Sequence, residues 1–133
     1  MTTLTTRQLN RALLARQMLL AREETTAMTA TGAVERLVGL QAQLARPPFV
    51  GLWTRIEGFQ RDDLLRPLQE RRIVRVTAMR ATLHLMTAAD YVSLRGALQP
   101  ALTRGMQSIL KARGVTDLFL DAITAEAREH FGG

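Results

Sequence analysis

The chain has 133 residues, a formal net charge of +6 and no cysteine. That length suits one domain, which can bury roughly 68–70% of its unfolded surface without help from a metal or a disulfide. The lack of cysteine excludes disulfide staples and thiolate zinc sites and fits a cytosolic protein; no apolar run approaches the ~20 residues of a membrane span, and the opening MTTLTT lacks the basic-then-apolar order of a signal peptide.

Nearly all the positive charge is arginine, with Lys111 the only lysine. A guanidinium grips oxyanions bidentately, so this bias suits phosphate and points to nucleic acid contact. A genome rich in G and C favours arginine codons equally well.

In chain order, Thr5 or Thr6 can cap a first helix running to about Arg22. Leu9, Leu13, Met18 and Leu20 give it a broad apolar side, and Arg7, Arg11 and Arg16 a polar strip. After a polar connection at 23–26, Thr29 to Gly32 opens a second helix. Its apolar positions Val34, Leu37, Val38, Leu40 and Leu44 predict that it continues to Pro47-Pro48, because a residue before proline is pushed out of the α region. A short third helix begins at that break, with Phe49, Leu52, Trp53 and Ile56 as its expected buried face, and Gly58 ends it. Helices at 48–57 and 61–72 then make a helix-turn-helix pair, the second one bent or late-starting at Pro67.

From Ile73 the pattern changes to β-branched residues, and Thr77-Ala78-Met79 can turn the chain back. Ala81, Leu83 and Leu85 then alternate with Thr82, His84 and Met86, the period-2 sign of a half-buried strand, with Leu83 and Leu85 expected to be buried. All else reads as helix, so this hairpin at 73–86 has no other sheet to join and needs a helical cover. Thr87 to Asp90 resembles a capping box. A helix to about Leu98 follows, another from Pro100 to near Gly114, and a last one capped by Thr116, with Phe119, Leu120, Ile123, Ala127 and Phe131 facing one way. The final Phe-Gly-Gly, just after an apolar stripe, reads as a truncation.

The fold class expected is mainly α: a winged helix-turn-helix unit over residues 1–91 with one hairpin wing, and a helical extension over 92–133 before further domains. The helix at 61–72 mixes Asp62, Asp63 and Glu70 with its arginines, so it suits base reading poorly, and the acids suit its positive dipole end instead. The wing is more basic, with Arg71, Arg72, Arg75 and Arg80 close together. Arg80, Thr82 and His84 share one expected strand face, a polar trio on an otherwise apolar hairpin.

No Walker A loop, GxGxxG, HExxH or GxSxG occurs, and neither a metal nor a cofactor is expected. The unusual segment is Gln41-Ala42-Gln43 just before the Pro-Pro break. In a continuous helix its two glutamines point about 200° apart and cannot serve one site; if the helix unwinds towards the prolines, they converge.

The runs LTTRQLNRALLARQ, ERLVGLQAQLARPPFVGLWTRI and RRIVRVTAMRATLHLMTAADY resemble the winged-helix DNA glycosylases of the AlkZ type, over roughly residues 4 to 91. That family removes alkylated purines, and some members unhook interstrand crosslinks. Its catalytic element is a glutamine–apolar–glutamine or glutamine–apolar–aspartate motif, which Gln41-Ala42-Gln43 matches in the first form. Members carry several winged-helix units and a β-domain, and this chain has room for one unit.

The resemblance implies a bacterial DNA-repair hydrolase acting as a monomer on double-stranded DNA, here its N-terminal portion. Gln41 and Gln43 would be catalytic, with Arg72, Arg75, Arg80 and His84 against the DNA. Two rivals stand beside it: a non-enzymatic winged-helix DNA-binding module such as a dimeric regulator, and a structural unit that docks on other domains.

Overall fold

A computed structural model describes residues 3–115 and 117–131, with side chains at 117–120 left out. The expected cap at Thr116, the apolar positions Phe119 and Leu120 and the final Gly-Gly fall outside that description. Among the described residues the protein is mainly α, with six α-helices and five short strands.

Helix α1 (Thr6–Arg16) starts at a reciprocal cap: the Gln8 N–H donates to Thr5 Oγ1, and the Thr5 N–H donates to Gln8 Oε1 at 2.8 Å. It ends before the expected Arg22 because Met18 adopts φ 56° and turns its side chain into the core, where it is 3% exposed. No residue of α1 itself is buried, and Leu9, Leu13 and Leu14 lie open. Two arginines fasten the segment after it. Arg55 Nε–H donates to the Gln17 carbonyl at 2.9 Å, and an Arg22 NH2 donates to the Ile56 carbonyl at 2.7 Å. Partial desolvation lowers the pKa of Arg55, which stays cationic at any ordinary pH. The polar connection contains a strand, β1 (Glu23–Glu24), parallel to β3 (Ile56–Glu57).

Helix α2 (Ala30–Arg36) is capped by Thr29, whose Oγ1 accepts from the Gly32 N–H at 3.0 Å. It stops well short of Pro47, against the expectation of a continuous helix. Val38 sits at φ 61°, uncommon for a β-branched residue, and Gly39 at φ 138°. A Cβ on Gly39 would meet the Leu85 carbonyl oxygen at 3.0 Å. The chain therefore reverses there and enters strand β2 (Leu40–Gln41) extended.

Helix α3 (Pro47–Trp53) uses Pro47 at its first position, where the missing N–H costs nothing. Leu52 and Ile56 are buried as expected, but Trp53 is 55% exposed, its ring lying under the Arg22 guanidinium at 4.9 Å. Helix α4 (Arg61–Gln69) opens with Asp63 accepting from the Gln60 N–H at 2.7 Å, a local reason for an acid in its first turn. Pro67 neither delays nor abolishes the helix. It lies in the last turn, and the helix closes two residues later, short of the expected Arg72, as Arg71 takes φ 57°.

Strands β4 (Ile73–Thr77) and β5 (Leu83–Thr87) form the expected hairpin, closed by a tight turn with Arg80 and Ala81 both at φ 55°. The hairpin is not alone: β2 pairs with β5 to make a three-stranded antiparallel sheet in the order β2-β5-β4. As the central strand, β5 is buried on both faces, with His84, Leu85, Met86 and Thr87 enclosed. Leu83, expected in the core, is only half-buried because it stands at the turn end.

The core joins Val34, Leu52, Ile56, Leu64, Ile73 and Leu85 from α2, α3, β3, α4 and the three-stranded sheet. Helix α5 (Ala88–Ala112) starts with Thr87 Oγ1 accepting from the Asp90 N–H, the predicted capping pattern. It runs unbroken through Pro100, where two helices were expected. The proline orphans only the carbonyl of Gly96, which is exposed and open to water. The expected boundary between residues 91 and 92 falls inside this helix. Helix α6 (Asp117–Phe131) follows, with Ile123 and Phe131 exposed. No helix among the described residues is long and apolar enough to cross a membrane.

Candidate nucleic-acid site at the sheet edge

Gly39 aims the chain so that Leu40 pairs with Leu85 and Gln41 with His84. In extended chain, side chains alternate, so residues two apart share a side. The burial pattern follows this: Ala42 is 1% exposed, while Gln41 and Gln43 on either side of it are exposed. The divergence that a helix would impose on the two glutamines is absent, because no helix is there.

The end of β2 departs from a regular ladder. Leu83 accepts from the Ala42 N–H at 2.7 Å. In a regular hydrogen-bonded pair the Leu83 N–H would return to the Ala42 carbonyl. It donates instead to Gln43 Oε1 at 2.8 Å, and the Ala42 carbonyl accepts from Arg75 Nε–H at 2.9 Å. A second Arg75 nitrogen donates to the Gln43 carbonyl at 3.1 Å. Because an N–H is the donor to Gln43, its side-chain oxygen is identified, and its NH2 points the other way. Gln41 is exposed on the same edge.

The other expected site residues separate into two groups. Arg80 stands exposed at the hairpin turn, and Arg72, just before β4 at the opposite end of the hairpin, is exposed too, paired with Glu70 at 2.7 Å and donating to Thr31 Oγ1. Arg75 is occupied by the Gln motif's backbone. His84 is 4% exposed, and its Nδ1–H donates to the Thr82 carbonyl at 2.9 Å. The Arg80–Thr82–His84 side chains do not assemble as a trio: Arg80 belongs to the turn, and Thr82 Oγ1 donates to the Met79 carbonyl. The role of Arg75 and the part played by Leu83 were not found from sequence; Gly39 was the available signal that β2 would leave the helix.

Two clefts lie elsewhere among the described residues. One, of about 260 Å³, is lined by Thr29, Thr31, Asp62, Asp63, Arg66 and Arg72 among others. The other, of about 890 Å³, lies between the hairpin and α5, with Val76, Tyr91, Leu102 and Met106 on its walls. Neither contains Gln41 or Gln43, which occupy an open edge. No group of three or more His, Asp or Glu among the described residues is placed to hold a metal ion.

The family model for DNA glycosylase AlkZ-like proteins matches residues 34–133, three-quarters of the chain, including the Gln pair and the whole sheet. The chain belongs to the AlkZ-like DNA glycosylase family. Among solved structures, Streptomyces sahachiroi DNA glycosylase AlkZ superposes with a TM-score of 0.68 at 30% identity, covering 94% of this chain and 33% of that one. This AlkZ-like chain thus spans about a third of the length of that glycosylase. Helix α1 lies before the family match. A search of curated protein sequences returned no match.

Proposed function

We propose that this chain is the N-terminal winged-helix portion of a DNA glycosylase that hydrolyses the N-glycosidic bond of N7-alkylated or crosslinked purines in double-stranded DNA. In this reading α3, α4 and the β4–β5 wing form the winged unit of residues 1–91, and 92–133 is a helical extension sharing α5. The whole protein works as a bacterial, cytoplasmic monomer with no cofactor.

One observation carries the reading: Gln41 and Gln43 are both exposed where edge strand β2 ends, with Gln43 Oε1 accepting from the Leu83 N–H. An open edge suits the groove of a polymer better than a small molecule. Alkylation at N7 makes the purine cationic, so the base leaves neutral and needs no general acid. What remains is to place a water and to stabilise positive charge developing on the sugar. A glutamine carbonyl can orient water, and its dipole can face that charge. Gln41, exposed on the edge, is assigned the water. Gln43, fixed by Leu83, is assigned the orientation of the pair.

Arg80 and Arg72 are assigned to phosphate, and they bind without reading sequence. Arg75 and His84, also expected at the DNA, support the edge from within the sheet.

The test is single-turnover release of N7-methylguanine from duplex DNA by the full-length protein, with Gln41→Ala and Gln43→Ala beside the parent. Each variant is expected to lose about 10²–10³-fold in rate, by analogy with losing a transition-state donor, while duplex affinity changes little. Parental rates in both variants would remove the motif assignment. No release from any alkylated duplex by the parent would replace the enzyme with a winged-helix binding module.

A further inference from the structure

The Arg75 side chain starts on β4, passes its register partner Leu85 on the central strand, and ends on β2. There its Nε–H meets the Ala42 carbonyl at 2.9 Å and an NH2 meets the Gln43 carbonyl at 3.1 Å. Successive carbonyls of a straight strand point to opposite sides. Both reach one guanidinium only because the chain bends at Gln43.

We infer that Arg75 is a positioning residue for Gln41 and Gln43, acting as a fork that holds the motif's backbone in that bend at the sheet edge. The inference rests on reading the two glutamines as the water-positioning pair; the fork itself can be observed without activity. Two side chains thereby replace one ladder bond. Gln43 takes the Leu83 N–H, Arg75 takes the Ala42 carbonyl, and each depends on the other's geometry. Arginine suits this because its planar fork presents fixed, parallel donors. A lysine ammonium is a single point on a flexible stem and cannot span both carbonyls in the same way. The outer donors of the Arg75 guanidinium stay available to a phosphate, so Arg75→Lys, which keeps the charge, separates the fork from a simple charge contact.

The experiment compares the full-length parent with Arg75→Lys by single-turnover release of N7-methylguanine, duplex affinity across salt, and amide hydrogen exchange. The fork requires a rate about 100-fold lower, the scale of a reacting group displaced by about 1 Å, with duplex affinity and salt slope at parental values. Exchange should quicken at the Ala42 and Leu83 amides and stay unchanged at the amides that bond β4 to β5. Parental rate in Arg75→Lys overturns the inference, whatever the exchange shows. A rate loss matched by weaker binding and a shallower salt slope also overturns it, in favour of a phosphate contact. Faster exchange across the whole sheet, with a lower Tm and a parental rate well below that Tm, assigns Arg75 to stability alone and overturns it too. If the parent releases no base, the glycosylase reading fails separately and exchange alone decides the fork: local loss of protection supports it, and unchanged protection overturns it.

Discussion

Replacing Gly39 with alanine probes the turn that delivers the Gln motif to the sheet. At φ 138° the backbone is in a region that L side chains rarely adopt, and the added Cβ would lie 3.0 Å from the Leu85 carbonyl oxygen and 3.1 Å from Met86 Cγ. Holding a side chain in such a conformation costs about 1–3 kcal/mol. Forcing a carbon against a packed, central strand costs about 1–3 kcal/mol more. Against this, alanine restricts the unfolded chain and stabilises by about 0.4–1 kcal/mol. The net expectation is a destabilisation of about 1–6 kcal/mol, at its upper end within reach of abolishing a fold whose whole stability is about 5–15 kcal/mol. The internal control is Gly96→Ala on α5, where nothing lies within 4 Å of the new Cβ, and which should stabilise by about 0.5–1 kcal/mol. Urea unfolding followed by circular dichroism measures both, with the m-value checking that each transition still exposes the same surface. A Gly39→Ala protein within about 0.5 kcal/mol of the parent would refute the derivation, since a contact this short cannot be neutral unless β2 is placed differently.

Two further outcomes can be measured on the same preparations. Leu85→Ala should cost about 2–5 kcal/mol as a core truncation, and Leu83→Ala clearly less because Leu83 is half-exposed; equal losses would contradict the burial of this strand. Arg80→Ala should flatten the logarithmic salt dependence of duplex binding by roughly 0.9, one phosphate contact, and an unchanged slope would remove Arg80 from the DNA surface.

Where the controlling chemistry is local, the sequence was legible. Thr5, Thr29 and Thr87 announce helix starts because a cap needs only three residues, and the alternation after Ile73 announces a strand. The C-terminal ends are less legible. Pro47-Pro48 and Pro100 do not set them, and the left-handed turns at Met18, Val38 and Arg71 leave no mark in residue type. Spacing alone points Trp53 into the core, but it stands under Arg22 at the surface. Strand β2 has only Gly39 before it as a signal, since two residues show no period and Leu40 also fits the helical stripe of α2. The Gln motif was recognisable by resemblance, but its geometry depends on Leu83 and Arg75, which are far away in sequence.

That distance has a kinetic side. The β4–β5 hairpin closes through a short turn, and such units form in about 1–10 µs. The bond from Leu83 to Gln43 joins residues 40 apart in sequence. Bringing such ends together costs about 3 kcal/mol of chain entropy beyond a constant term, before β2 gains a single partner. The edge bearing the glutamines is therefore the least local part of the sheet. A change that loosens β5, even one remote from Gln41, reaches the motif by weakening the only strand on which it can close.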